Sequence, residues 1–231
     1  MRARVSVAVM AHRARAGMVA ELVERLDRPA AIAWADDDVE WHTGRRAWEA
    51  ADGSATHHLV IQDDAIVCGD LVAGVEHWLA RLPAGAAMSL YFGRTSPFPR
   101  QTGHVAALAD EAGASWLALD RLYWGVAAVL PTPYIGPMLA WPRGARFGMY
   151  DQRVSAWLVD HDVPVYYPWP SLVDHRDTPS LLPGHGLRPG RVAHRFAGEN
   201  VSALDVDLSG PVMDVGPLAR VRTRRLTRRE P

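Results

Sequence analysis

Short apolar runs alternate with segments of helical periodicity along the first half of the chain. No other feature restricts the fold as much. Arg4 to His12 ("RVSVAVMAH") is strand-like. In Arg15 to Leu26, Met18, Leu22 and Leu26 fall four apart with Val19 and Val23 beside them, the stripe of an amphipathic helix that Pro29 ends. Ala30 to Ala35 is a second strand, closed by Asp36, Asp37 and Asp38. Thr43 is placed to cap a short helix through Ala50. His57 to Ile61 is a third strand, stopping at Gln62. Leu71, Val75, Trp78, Leu79 and Leu82 form the next helical stripe, and Ala86 to Gly93 a fourth strand. Thr102 opens a helix carrying Val105, Leu108 and Ala112, and Ser115 to Leu119 and Gly125 to Leu130 are again strand-like. Such alternation implies an α/β chain with a mostly parallel sheet and helices on both faces. Ligands on these sheets sit beyond the carboxyl ends of the strands, which points to the acids at residues 36 to 38 and 63 to 64.

Beyond Pro131 the pattern is broken by Pro and Gly until a helix near Tyr150 to Asp160. A short strand then leads into a Pro-rich turn, and residues 178 to 200 read as a loop or lid. With 231 residues, 48% of them hydrophobic, the chain can bury one sizeable core. No internal repeat or linker divides it, so the expected organisation is one domain over 1–214 and an arginine-rich tail over 215–231. Every one of the 25 basic residues is arginine, which fits a GC-rich genome, and the net charge of −1 gives no general pull toward nucleic acid or membrane. One cysteine, Cys68, excludes an internal disulfide. The apolar run at Val5 to Ala11 is too short for a signal peptide, and nothing approaches the length of a membrane span. A cytoplasmic setting is expected.

The usual cofactor and nucleophile signatures are missing. The sequence has no Walker loop, no G-x-G-x-x-G after the first strand, no HExxH and no G-x-S-x-G. What remains is acids and histidines at strand ends. In "HHLVIQDDAIVCGDLV", Asp63 and Asp64 follow a buried strand. Adjacent carboxylates repel and raise one another's pKa unless something positive sits beside them. Helix capping is one role for them; binding a divalent cation is the other, and hard carboxylate ligands suit Mg²⁺ or Mn²⁺. His175, in "YYPWPSLVDHRDTPSLL", is held between Pro170 and Pro179.

Four segments together resemble glycosyltransferases of the GT-A fold, in the compact form found in actinobacteria and their phages. "HHLVIQDDAIVCGDL" resembles the strand and DXD-like motif that holds a metal against the diphosphate of a nucleotide sugar. "LDRLYWGVAAVLPT" is similar to the strand near the acceptor, and "MYDQRVSAWL" to the helix start bearing an acid near the reacting sugar. "YYPWPSLVDHRDTPSLL" is similar to the late segment whose histidine returns to the metal. The matches occur in the family's order and span about residues 1 to 182. Here the motif is Gln62-Asp63-Asp64, so only Asp64 maps onto the metal ligand, and Asp63 and Gln62 onto ribose or sugar contacts.

The resemblance implies a transferase moving a sugar from a nucleotide-diphosphate sugar, a UDP-sugar first, to a hydroxyl acceptor. It implies Mn²⁺ or Mg²⁺ on Asp64 and His175, Asp151 as the base of an inverting reaction, and Tyr123, Trp124 and Gly125 on the acceptor side. Guanidinium forks match phosphate oxygens, which makes Arg13, Arg45, Arg188 and Arg191 candidate diphosphate contacts. His12 and Asp36 to Asp38 are placed for the base and ribose, and Trp41 and Trp48 for the sugar pocket or the core. The loop from Pro183 to Asn200 is placed to fold over the diphosphate. DNA, a protein and a glycan are all compatible acceptors, and the arginine-rich tail suits a polyanion. A non-catalytic nucleotide-sugar-binding module and a nucleotidyltransferase are the alternatives from other classes.

Overall fold

The computed structural model describes residues 2–95, 97–179, 181 and 190–221. Strand β1 (Val5–Ala11) leads into α1 (Ala16–Arg25), β2 (Ala31–Trp34), α2 (Glu40–Glu49), β3 (His57–Gln62) and the short β4 (Ala65–Val67). Then come α3 (Leu71–Leu79), β5 (Ala87–Ser89), α4 (Pro99–Glu111), β6 (Trp116–Leu119) and β7 (Ala127–Pro131). The chain continues through α5 (Thr132–Ala140), α6 (Tyr150–Asp160), β8 (Val165–Pro168), β9 (Val173–His175) and β10 (Val212–Gly216).

Eight strands form the main sheet in the order β10-β6-β8-β5-β7-β3-β1-β2. β1 runs parallel to both β2 and β3, as do β5 to β8 and β6 to β10, while β7 and the β6–β8 pair run antiparallel. The result is a mostly parallel, helix-flanked, Rossmann-like α/β fold, as the alternation of periods predicts. Every side chain of β7 is buried, and so are Leu59, Val60 and Ile61 of β3. Burial on both faces explains why these strands read as continuous apolar runs without alternation. Among the described residues no helix is long and apolar enough to cross a membrane.

Several elements depart from expectation. Helix α2 starts at Glu40, a turn before Thr43, because Asp37 accepts the Val39 amide at 3.0 Å and turns the chain earlier. Helix α4 likewise starts at Pro99, where a missing N–H loses nothing. The Pro-containing stretch after β7 forms α5, with Pro133 in its permissive first turn. β10 crosses the expected start of the tail at residue 215, and Leu218 is fully buried. The folded body therefore continues to about the last described residue, Val221; the arginines from 222 onward lie outside the described residues.

Tyr150, also fully buried, locks the first turn of α6 to α2. Its hydroxyl donates to the Gly125 carbonyl, and a Cβ placed on Gly44 would fall 2.7 Å from Tyr150 Cβ. Gly44→Ala should gain about 1 kcal/mol of helix propensity. The clash is with an atom next to the backbone, and overpacking costs about 1–3 kcal/mol. A lower melting temperature is therefore the expected result, by thermal denaturation; an increase would show that the α2–α6 contact is slack.

Candidate functional site

The acids after β3 sit in a turn tied to β1. The Asp63 amide donates to the Met10 carbonyl at 3.0 Å, which carries the β1–β3 pairing one residue past β3. Both side chains are buried, 5% exposed for Asp63 and 3% for Asp64. Two carboxylates this deep need positive charge beside them. Arg15 supplies it: its Nη1 lies 2.9 Å from Asp63 Oδ1 and 2.6 Å from Asp64 Oδ2. The backbone amide of His12 adds a bond of 2.7 Å to Asp63 Oδ2. Burial still pushes the Asp63 carboxyl above its ordinary value, against the pull of Arg15 and the His12 amide.

The small β4–β9 ladder, a sheet of its own, brings the distant histidine to this turn. Its register pairs Ala65 with His175, and the Arg176 amide donates to the Asp64 carbonyl at 2.8 Å. His175 Nε2 then lies 3.3 Å from Asp64 Oδ2. Burial holds the imidazole below its usual range, opposed by the Asp64 charge. Asp64 Oδ1 and His175 Nδ1 are buried and make no hydrogen bond among the described residues. A carboxylate oxygen and an imidazole nitrogen without protein partners are of the donor types that suit a divalent ion with phosphate oxygens and water in the rest of its shell. Among the described residues there is no cluster of three or more His, Cys, Asp or Glu side chains placed to hold a metal.

Across a cleft of about 730 Å³ stand two more acids. Glu40 opens α2, and Asp151 occupies the first turn of α6. Glu40 Oε2 lies 3.4 Å from the Tyr150 amide, and Asp151 Oδ1 accepts the Gln152 amide at 2.6 Å. Both are partly buried where they line the cleft. Burial raises Asp151 to about 6, and burial together with the Asp151 charge raises Glu40 to about 7. The third wall is aromatic, from Tyr91, Tyr123 and Trp124, with Trp124 edge-on to Tyr91 and Phe92. The Tyr123 hydroxyl donates to Asp120 and accepts from the Leu218 amide, both within 2.9 Å.

The structure gathers His12, Gln62, Asp63, Asp64, Tyr123, Trp124, Gly125, Asp151, His175 and Arg191 on this one cleft. Three other expected donor contacts are placed elsewhere. Arg45 points out of α2 and pairs with Glu49, one helical turn on, at 2.7 Å. Asp36 is exposed and pairs with Arg46, so Asp37 and Asp38 line the cleft in its place. Arg13 is exposed, its guanidinium 5.7 Å from the centroid of the Trp34 ring. Trp48 is core, and Trp41 is buried beneath the Arg153 guanidinium. In the expected lid, Arg195 pairs with Asp110, while residues 182–189, Arg188 among them, lie outside the described residues.

Arg15 and Glu40 also line the cleft, and neither stands out in the sequence as a site residue. Arg15 simply continues into the helical pattern that follows it. Glu40 follows Asp37 by three residues, a spacing that marks a helix start but not a cleft acid, and the helix begins at Glu40 itself. Replacing Arg15 by methionine leaves two buried charges uncompensated. The expected loss at neutral pH is about 3–5 kcal/mol. The deficit should shrink on acidification, because protonating the raised Asp63 removes one of the opposed charges. Denaturant unfolding of both proteins at pH 7 and pH 5 measures it, and an equal deficit at both would contradict this role.

No protein-family model matches the chain and no curated protein matches it, so the functional reading rests on the cleft itself.

Proposed function

We propose that the chain is a glycosyltransferase moving a sugar from a nucleotide-diphosphate sugar to a hydroxyl acceptor. The observation that carries this reading is the approach of His175 to Asp64 in a cleft that Asp151 also lines. The cleft lies beyond the carboxyl ends of β1 and β3, where open α/β sheets bind nucleotides.

Asp64 and His175 would hold Mn²⁺ or Mg²⁺, which when bound neutralises charge on the diphosphate leaving group as a Lewis acid. The chain's own groups do the remaining work. Arg191 reaches the cleft from beyond residue 189. Its guanidinium is anchored at 2.5 Å to the Thr178 carbonyl, and its buried Nε has no partner among the described residues. That geometry suits a diphosphate oxygen. His12, Gln62 and Asp63 close the inner end against the nucleoside and sugar. Tyr123, Trp124 and Gly125 wall the acceptor side and exclude water that would hydrolyse the donor.

In the transfer, the acceptor oxygen bonds to the anomeric carbon. The bond from that carbon to the diphosphate breaks, and its electron pair leaves with the phosphate. Asp151 takes the acceptor proton. A carboxyl raised to about 6 is ionised at neutral pH and still basic enough to accept a proton. Such a group supports a catalytic reading over a binding module, and product analysis separates sugar transfer from nucleotidyl transfer.

A panel of nucleotide sugars with Mn²⁺, scored for released nucleoside diphosphate, tests the reading. Asp64→Ala and His175→Ala should each lower release about a hundredfold or more, and Asp151→Asn should lower transfer about 10²- to 10⁴-fold. In the parent protein, kcat/KM should rise with pH through about 6, because only ionised Asp151 is a base. Full activity in all three variants would contradict the site. Release of nucleoside monophosphate or pyrophosphate would point to nucleotidyl transfer instead.

A further inference from the structure

Glu40 has no place in the transfer as described, yet it stands in the cleft beside the proposed base. Two long helices meet there by their N-termini: Glu40 is the first residue of α2 and Asp151 the second of α6. The junction is rigid. Tyr150, whose amide lies 3.4 Å from Glu40 Oε2, is fixed by its hydroxyl on the Gly125 carbonyl and by close packing on Gly44. Neither acid makes an ion pair among the described residues. Two helix N-termini provide partial positive charge, but no full cation neutralises the pair. Of the cleft's other cations, Arg15 is committed to Asp63 and Asp64 and Arg121 to Asp120, and Arg191 is held by the Thr178 carbonyl with its Nε unpaired among the described residues.

We infer that Glu40 and Asp151 work as one acid–base pair, in which the charge on Glu40 sets how strongly Asp151 holds the acceptor proton. The inference rests on the reading of Asp151 as the base, and Glu40 acts through it as a positioning residue. The other titratable groups around the pair are Asp64 beyond β3 and the Tyr150 hydroxyl, which burial keeps protonated. When Glu40 carries its proton, Asp151 alone is charged. When Glu40 ionises, a like charge stands beside Asp151 and raises its proton affinity. The pair then loses protons in two steps that belong to both groups. The order follows from the surroundings: Asp151 ionises at about 6 and Glu40 at about 7, with the Asp151 charge among the causes of the later step. A cap whose only task was to hold the Tyr150 amide would need no second charge beside the base.

Two measurements on the full chain test this. The first is kcat/KM for transfer against pH in the parent protein, Glu40→Gln and Glu40→Asp. The parent should rise in two steps, near 6 and near 7. Gln keeps an oxygen for the Tyr150 amide but carries no charge. It should show the first step only and level off lower, by a factor on the order of 3 to 10. Asp should restore part of the second step. A Glu40→Gln profile superimposable on the parent's would overturn the inference. The second measurement needs no substrate: carboxyl ¹³C NMR titration of Glu40 in the parent and in Asp151→Asn. The Glu40 midpoint should fall when the neighbouring charge is removed, and an unchanged midpoint overturns the pair. If the midpoint falls but no nucleotide sugar is turned over, the glycosyltransferase reading fails and the coupled pair stands.

Discussion

One guanidinium holds the inner wall of this cleft together. Asp63 and Asp64 follow a strand that is buried on both faces, and both carboxylates are largely removed from water at the floor of the cleft. Arg15 lies against both, and its second nitrogen donates to the Pro179 carbonyl at 2.9 Å. A single side chain thus joins the end of β1, the turn after β3 and the segment that follows β9. Without a cation at that point, the desolvation of two adjacent charges would oppose formation of the turn. The β4–β9 ladder that delivers His175 starts from the same turn.

The opposite wall depends on packing more than charge. Gly44 and Gly125 leave room for the Tyr150 ring, and the ring sets α6 against α2. Asp151 and Glu40 are carried into place by that contact, and the fold gains nothing from their charges. Each has a folded pKa above its unfolded value, so each contributes most at low pH. That contribution falls away as pH rises from about 4 toward 6 for Asp151 and toward 7 for Glu40. At neutral pH the cleft therefore holds acids that stability alone would replace, a pattern common where proton transfer is the task.

The sheet could be read from sequence because it rests on short-range signals, and several of the acids and histidines at its strand ends share one cleft. Apolar runs gave β1, β3 and β7 nearly to the residue, and an acid pair after a buried strand marked the inner wall. The link between His175 and Asp64 was implied only by the resemblance of the late segment to GT-A glycosyltransferases, and the β4–β9 register brings the two within 3.3 Å. The misses have local physical causes. Arg45 was judged by type, but helical rotation turns it outward to Glu49. Glu40 was hidden because Thr43, a good capping residue, is instead buried inside α2. β10 is recognisable only through its partner β6, since two of its five residues are exposed, none is fully buried, and its apolar pattern is weak.

The most direct test is a crystal structure with a nucleoside diphosphate and Mn²⁺. The account predicts the diphosphate in the cleft between Asp64, His175 and Arg191, the nucleoside at the ends of β1 and β2, and anomalous Mn²⁺ density against Asp64 and His175. A nucleotide bound outside this cleft, or one whose diphosphate lies away from Asp64 and His175, would contradict it.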